Sequence, residues 1–148
     1  MPHILIVEDE PTTAWALAEG LSDDGFTIDT FRTAEEAWRW LQDSRSDVVI
    51  SDLRLPGMSG LDLARKLSRG RHAQPVIIVT AYGNPDTLRE LRQAGVAECF
   101  SKPFRVDLLR LAVHRALGDD RARPARRATP RSTPKRPTAR RAGLRKAA

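Results

Sequence analysis

The chain has 148 residues, enough for one domain with a proper core and little more. Its formal charge of +6 conceals a division: residues 1–118 hold 14 Lys and Arg against 17 Asp and Glu, a net −3, whereas residues 119–148 hold 11 against 2, a net +9. A single cysteine, Cys99, excludes an intramolecular disulfide, there is no basic leader ahead of an apolar core, and no apolar run approaches the ~20 residues of a membrane span, so the sequence points to a cytoplasmic protein without a membrane role.

Ile4 to Val7 is an unbroken apolar run, the pattern of a strand buried on both faces. Glu8-Asp9-Glu10 ends it, and Pro11 suits the first turn of a helix over 12–24, with Ala14, Leu17, Ala18 and Leu21 at helical spacing. Phe26 to Phe31 alternates as a second strand. Thr33 and Glu36 form a capping-box pattern ahead of a helix through Ala37, Trp38 and Leu41. Residues 47–51 read as a third strand that ends at Asp52, 56–60 as a turn, and 61–67 as a helix. Val76 to Val79 is a fourth strand ending at Thr80, and Asn84-Pro85 opens a helix to Ala94. Val96 to Phe100 is a fifth strand before Lys102-Pro103, and 107–117 is a last helix. Strand and helix thus alternate five times with short links, which predicts a flavodoxin-like doubly wound (βα)5 fold with a five-stranded parallel sheet in the order 2-1-3-4-5.

The domain is expected to span residues 1–118. Beyond it the chain consists mainly of Arg, Lys, Pro, Ala and Thr, with prolines at 124, 130, 134 and 137, one leucine and no aromatic residue. Such a stretch cannot bury enough apolar surface to offset its ordering entropy, so 119–148 is expected to be a disordered basic tail. Its cations, Arg126, Arg127, Lys135, Arg136, Arg140 and Arg141 among them, suit contact with nucleic-acid phosphates without sequence readout; a solvated extension is the plainer alternative.

In a parallel sheet of this kind the ligand site lies at the carboxyl ends of the strands. There the sequence places Glu8 and Asp9, Asp52, Thr80, and Ser101 with Lys102. Any one of these has an ordinary explanation as a cap, turn or loop residue, but three carboxylates, a hydroxyl and an ammonium at one edge form a coherent set. Crowded carboxylates call for a divalent cation, and Mg2+ prefers oxygen ligands and shares sites with phosphate. Asp52 is then the candidate nucleophile for an aspartyl phosphate, with Thr80 and Lys102 holding phosphoryl oxygens.

The stretches Ile6-Val7-Glu8-Asp9-Glu10, Ser51 to Gly60, Val79-Thr80-Ala81-Tyr82-Gly83, Ala94-Gly95 and Lys102-Pro103-Phe104 closely resemble the response-regulator receiver family over residues 3 to about 117. The resemblance implies that Glu8 and Asp9 bind Mg2+ with Asp52 and with the backbone carbonyl of Arg54. It further implies that Asp52 is phosphorylated, that Thr80 and Lys102 sense the phosphoryl group, and that a histidine kinase or phosphotransfer protein donates it. The protein is then a phospho-accepting switch and not an enzyme acting on other substrates. In the family an aromatic residue three places before the lysine reports the switch; here that position is Cys99. Phe100 points to the opposite face, so a small phospho-dependent change is expected on the surface of the fourth helix, fifth strand and fifth helix.

Other readings compete. A haloacid dehalogenase-like phosphatase would carry a second aspartate where Arg54 stands, and a flavin carrier would meet repulsion from Glu8-Asp9-Glu10. A phosphate sink or shuttle in a relay, or a DNA-associated protein acting mainly through its tail, fits the same residues. The stretch Thr80 to Gly83 also resembles receivers that precede ATPase modules, which suits a shortened form of a longer regulator. Trp15, Trp38 and Trp40 are expected to pack, Cys99 to be a small buried apolar residue, and His3, His72 and His114 to carry no shared chemistry, with His114 on the surface.

Overall fold

Unbroken apolar runs make strands that must be covered on both sides, and alternating side-chain direction divides each strand between two cores. A computed structural model describes residues 1–70, 73–81 and 83–118 and shows this division. In chain order the elements are β1 (His3–Val7), α1 (Pro11–Ser22), β2 (Thr27–Phe31), α2 (Ala34–Asp43), β3 (Val48–Asp52), α3 (Gly60–Ser68), β4 (Val76–Thr80), α4 (Pro85–Gln93), β5 (Glu98–Ser101) and α5 (Val106–Ala116). The five strands are parallel and ordered β2-β1-β3-β4-β5, as expected. Ile4, Ile6, Ile50, Ile77 and Val79 face Leu17 and Leu21 of α1 and Leu109 and Val113 of α5. Leu5, Val7, Val49 and Ile78 face Ala34 and Ala37 of α2, Leu63 and Leu67 of α3 and Leu91 of α4.

Several boundaries differ from expectation by one or two residues, and local hydrogen bonds explain them. Glu10 caps α1 by accepting from the Thr13 N–H at 2.7 Å, so the helix starts at Pro11. Ser59 and Asp62 form a reciprocal capping box, so α3 starts at Gly60. β5 begins at Glu98, two residues late, because the chain is still closing the end of α4: the Val96 N–H donates to Leu91 O. Thr33 caps α2 as expected, accepting from the Glu36 N–H at 3.1 Å.

Two side chains depart from their expected places. Trp15 is 65% exposed, because it lies off the stripe of α1 that buries Leu17 and Leu21. His114 is largely covered: its Nε2 lies 2.8 Å from Asp24 and its ring tilts against Phe26. Its neighbour Val113 is in the core, which places His114 at the edge where Asp24 waits. Trp38 and Trp40 pack as expected. The region 119–148, expected to be a disordered tail, lies outside the described residues with all its candidate basic residues, as do His72 and Tyr82.

Candidate functional site

Parallel strands deliver all their carboxyl ends to one edge, so the last residue of each run becomes a wall of a single pocket. Asp52 ends β3 beside Val79, and Thr80 ends β4 beside Ser101. Glu8 follows β1, and its N–H extends the sheet by one rung to Phe31 O at 2.9 Å. That rung holds Glu8 in the interior, where it is 2% exposed. One carboxylate oxygen from each of Glu8, Asp9 and Asp52 lies within 4.8 Å of the other two.

Lys102 reaches back from the end of β5 to close the pocket. Its Nζ donates to Asp52 Oδ2 at 2.9 Å and to Glu8 Oε1 at 3.1 Å. Its own N–H donates to Thr80 O at 2.9 Å, which ties the lysine's backbone to the fully buried threonine. The Arg54 N–H donates to Asp52 Oδ1 at 3.2 Å, and the Glu10 N–H to Glu8 Oε2 at 3.2 Å. Gly60 lies directly beneath: a Cβ there would sit 2.2 Å from Asp52 O, so the start of α3 can approach only as glycine.

The electrostatics follow from this crowding. Burial pushes the Glu8 carboxyl above its usual range, against the hydrogen bonds from Lys102 and Glu10, and the charge of Asp52 adds to the rise. Burial by itself would lower Lys102, but the hydrogen bonds to Asp52 and Glu8 outweigh it and hold the ammonium above its ordinary value. Three hard oxygen donors, one of them destabilised as an anion chiefly by burial, suit a small divalent cation, and the oxygen-only donor set suits Mg2+ better than a softer metal.

The structure therefore brings together Glu8, Asp9, Asp52 and Lys102, with Thr80 on the adjoining strand. Cys99 lies on β5 and packs against the α2–α3–α4 core, whereas Phe100 packs on the other face. Burial pushes the Cys99 thiol up, which fits a small packing residue better than a reactive one. Glu35 was not found by sequence reasoning. Its Oε2 accepts from the Met58 N–H at 2.7 Å. An acidic residue in the first turn of a helix is ordinary, and its partner is a backbone group 23 residues away, so only the fold reveals the contact.

Fold and pocket together define a doubly wound α/β domain with an acidic cluster and one lysine at the carboxyl edge of its sheet. The family model described as response regulator receiver domain matches residues 4–114, and the chain belongs to that family, whose members serve two-component systems. The DNA-binding transcriptional regulator NtrC of Escherichia coli K12 is 33% identical over 114 residues, 77% of this chain and 24% of NtrC. The C4-dicarboxylate transport transcriptional regulatory protein DctD of Rhizobium meliloti is 34% identical over 115 residues, 78% of this chain and 25% of DctD. The chain thus spans about a quarter of the length of these curated relatives. Among solved structures, the receiver domain of a signal transduction histidine kinase from Syntrophus aciditrophicus is 31% identical, with a TM-score of 0.75 over 84% of this chain and 96% of that one. The chemotaxis response regulator CheY4 of Vibrio cholerae is 26% identical, with a TM-score of 0.73 over 79% and 99%. Membership of this family removes the phosphatase and flavin-carrier readings. Among the described residues no helix is long and apolar enough to cross a membrane.

Proposed function

We propose that the domain accepts a phosphoryl group on Asp52 in a Mg2+-dependent reaction and acts as a cytoplasmic switch. The observation that carries this reading is the convergence of Glu8, Asp9 and Asp52 within 4.8 Å, with Lys102 bonded to two of them. An Asp52 oxygen attacks phosphorus, and the bond from phosphorus to a histidine nitrogen of a kinase or phosphotransfer protein, or to the acyl oxygen of acetyl phosphate, breaks with its electron pair. Glu8, Asp9, Asp52 and the Arg54 carbonyl would hold Mg2+, which neutralises the charge of the incoming phosphoryl group. Lys102 supplies a second cation from its place between Glu8 and Asp52, and the Thr80 hydroxyl serves the phosphoryl oxygens.

The test is the intact mass of the protein after incubation with acetyl phosphate and Mg2+. One phosphoryl increment is expected on the wild type, and none on Asp52→Asn or in excess chelator. Equal labelling of Asp52→Asn would remove the assignment, and undiminished labelling in chelator would remove the metal.

A second reading belongs to residues 119–148, and a net +9 in thirty residues favours it. They act as an electrostatic arm that meets nucleic-acid phosphates without reading sequence, and they contain no aromatic residue for base stacking.

A further inference from the structure

The segment between Asp52 and α3 is held at both ends by its own neighbours. The Arg54 N–H binds the Asp52 carboxylate at 3.2 Å, and the Gly60 N–H binds Leu53 O at 2.9 Å. Between these points runs Leu55-Pro56-Gly57-Met58-Ser59, a turn in which Gly57 has a φ of +76°. Proline followed by a glycine in the left-handed region is the pattern of a type II turn. A third hold comes from another element. Glu35, in the first turn of α2, places Oε2 2.7 Å from the Met58 nitrogen and accepts its hydrogen bond. The fit over the turn is close: a Cβ on Gly57 would lie 2.3 Å from the same oxygen. Gly57 is therefore required by its backbone, and a side chain there would also push the Glu35 carboxylate off the Met58 N–H.

We propose that Glu35 is a positioning residue for the cation site: by holding Met58, its carboxylate sets the β3–α3 turn that carries the Arg54 backbone. The inference rests on the proposed function, in which the Arg54 carbonyl joins Glu8, Asp9 and Asp52 around Mg2+. Asp52 ends β3 and Glu8 is pinned by a further rung of the sheet, whereas Asp9 and Arg54 stand on loops. A ligand on a turn is placed only as well as the turn is. Groups that orient metal ligands from behind typically govern affinity by one to two orders of magnitude. Glu35 works through a hydrogen bond to a backbone group, so it needs an acceptor oxygen at this position, and its charge is secondary.

The full chain tests this with Glu35→Ala and Glu35→Gln, read in two ways. The first is exchange of the Met58 amide hydrogen in metal-free protein. The second is the Mg2+ concentration that half-saturates the change in intrinsic tryptophan fluorescence, with phosphoryl labelling of Asp52 followed in parallel. In Glu35→Ala the Met58 amide should exchange faster while the β4 amides of Ile77 and Ile78 keep their protection, and half-saturation should rise about tenfold. Glu35→Gln keeps an acceptor without the charge, and should stay within about threefold of wild type in both readouts. Faster Met58 exchange with unchanged Mg2+ affinity would overturn the proposal. So would a Glu35→Gln variant as impaired as Glu35→Ala, because the effect would then be charge at a distance, and so would a loss of protection at Ile77 and Ile78, which would make Glu35 a general structural residue. Wild-type protein that binds no Mg2+ would overturn the proposed function as well, whereas Glu35→Ala that binds like a labelled wild type overturns this inference alone.

Discussion

By the resemblance read from the sequence, Cys99 stands where the family carries an aromatic switch residue, and a thiol cannot report a neighbour's movement as a ring does. It is too small to swing between an inward and an outward position, and it packs against the core beneath α4. Phe100 does not replace it, because it lies on the opposite face of β5 against the α1–α5 core. Phosphorylation is therefore expected to alter the α4–β5–α5 surface little. Hydrogen exchange with and without beryllofluoride checks this: protection across residues 84–110 should change only slightly, and large changes there would refute it. The candidate site residues were legible in the sequence because four of the five strands, β1, β3, β4 and β5, run out onto them, and a parallel sheet sends those ends to one edge. Glu8, Asp9, Asp52, Thr80 and Lys102 follow from that rule. Glu35 does not, because nothing local marks a carboxylate whose partner is a distant N–H.

Two carboxylates anchor α5, one on each side of the helix. Glu98 of β5 receives Arg115, with Nε to Oε2 at 3.0 Å and the terminal nitrogen to Oε1 at 2.8 Å. Asp24, after α1, accepts from Nε and Nη2 of Arg110 and, at 2.8 Å, meets His114 Nε2. The hydrogen bond from Arg110 is the main reason that the Asp24 carboxyl lies below its ordinary 3.8, and His114 adds to it; burial works the other way. Asp23 and Asp107 also face Arg110. A carboxyl lowered by folding binds fewer protons in the native state than in the unfolded one. Its contribution to stability is therefore complete above the unfolded value and is lost as pH falls through the native one. Asp24→Asn should lower the melting temperature at pH 7 by about 4 °C, the shift for roughly 1 kcal/mol in a domain of this size. It should also lose melting temperature less steeply than wild type as pH falls below about 4. Parallel melting curves for the two proteins across that range would show that Asp24 does not clasp α5. At this scale the order of elements was legible from apolar periodicity, whereas the clasp was not. His114 reads as a surface residue until the fold sets the α1–β2 loop beside it, and Trp15 reads as a packing residue until the stripe of α1 turns it outward.

Across the whole molecule, charge divides the chain into an acidic domain and a basic extension. A chain ending at Gly118 should accept phosphate as the full chain does, because every proposed site residue precedes that point. Filter binding to duplex DNA across a salt series tests the extension. If ~5–8 of its cations meet phosphates, log affinity should fall against log salt with a slope of roughly −4.5 to −7, independent of duplex sequence. Equal retention of the full and shortened chains would leave residues 119–148 without this role. The proposed function rests on Asp52 as the acceptor, and the most direct measurement is where the phosphoryl group sits. After incubation with acetyl phosphate and Mg2+, borohydride reduces an acyl phosphate to an alcohol, which converts a phosphorylated aspartate to homoserine. Peptide mass spectrometry should then find homoserine at position 52 and nowhere else. Homoserine at another aspartate, or a phosphoryl group that survives reduction on a serine, threonine or histidine while Asp52 stays intact, would contradict the account.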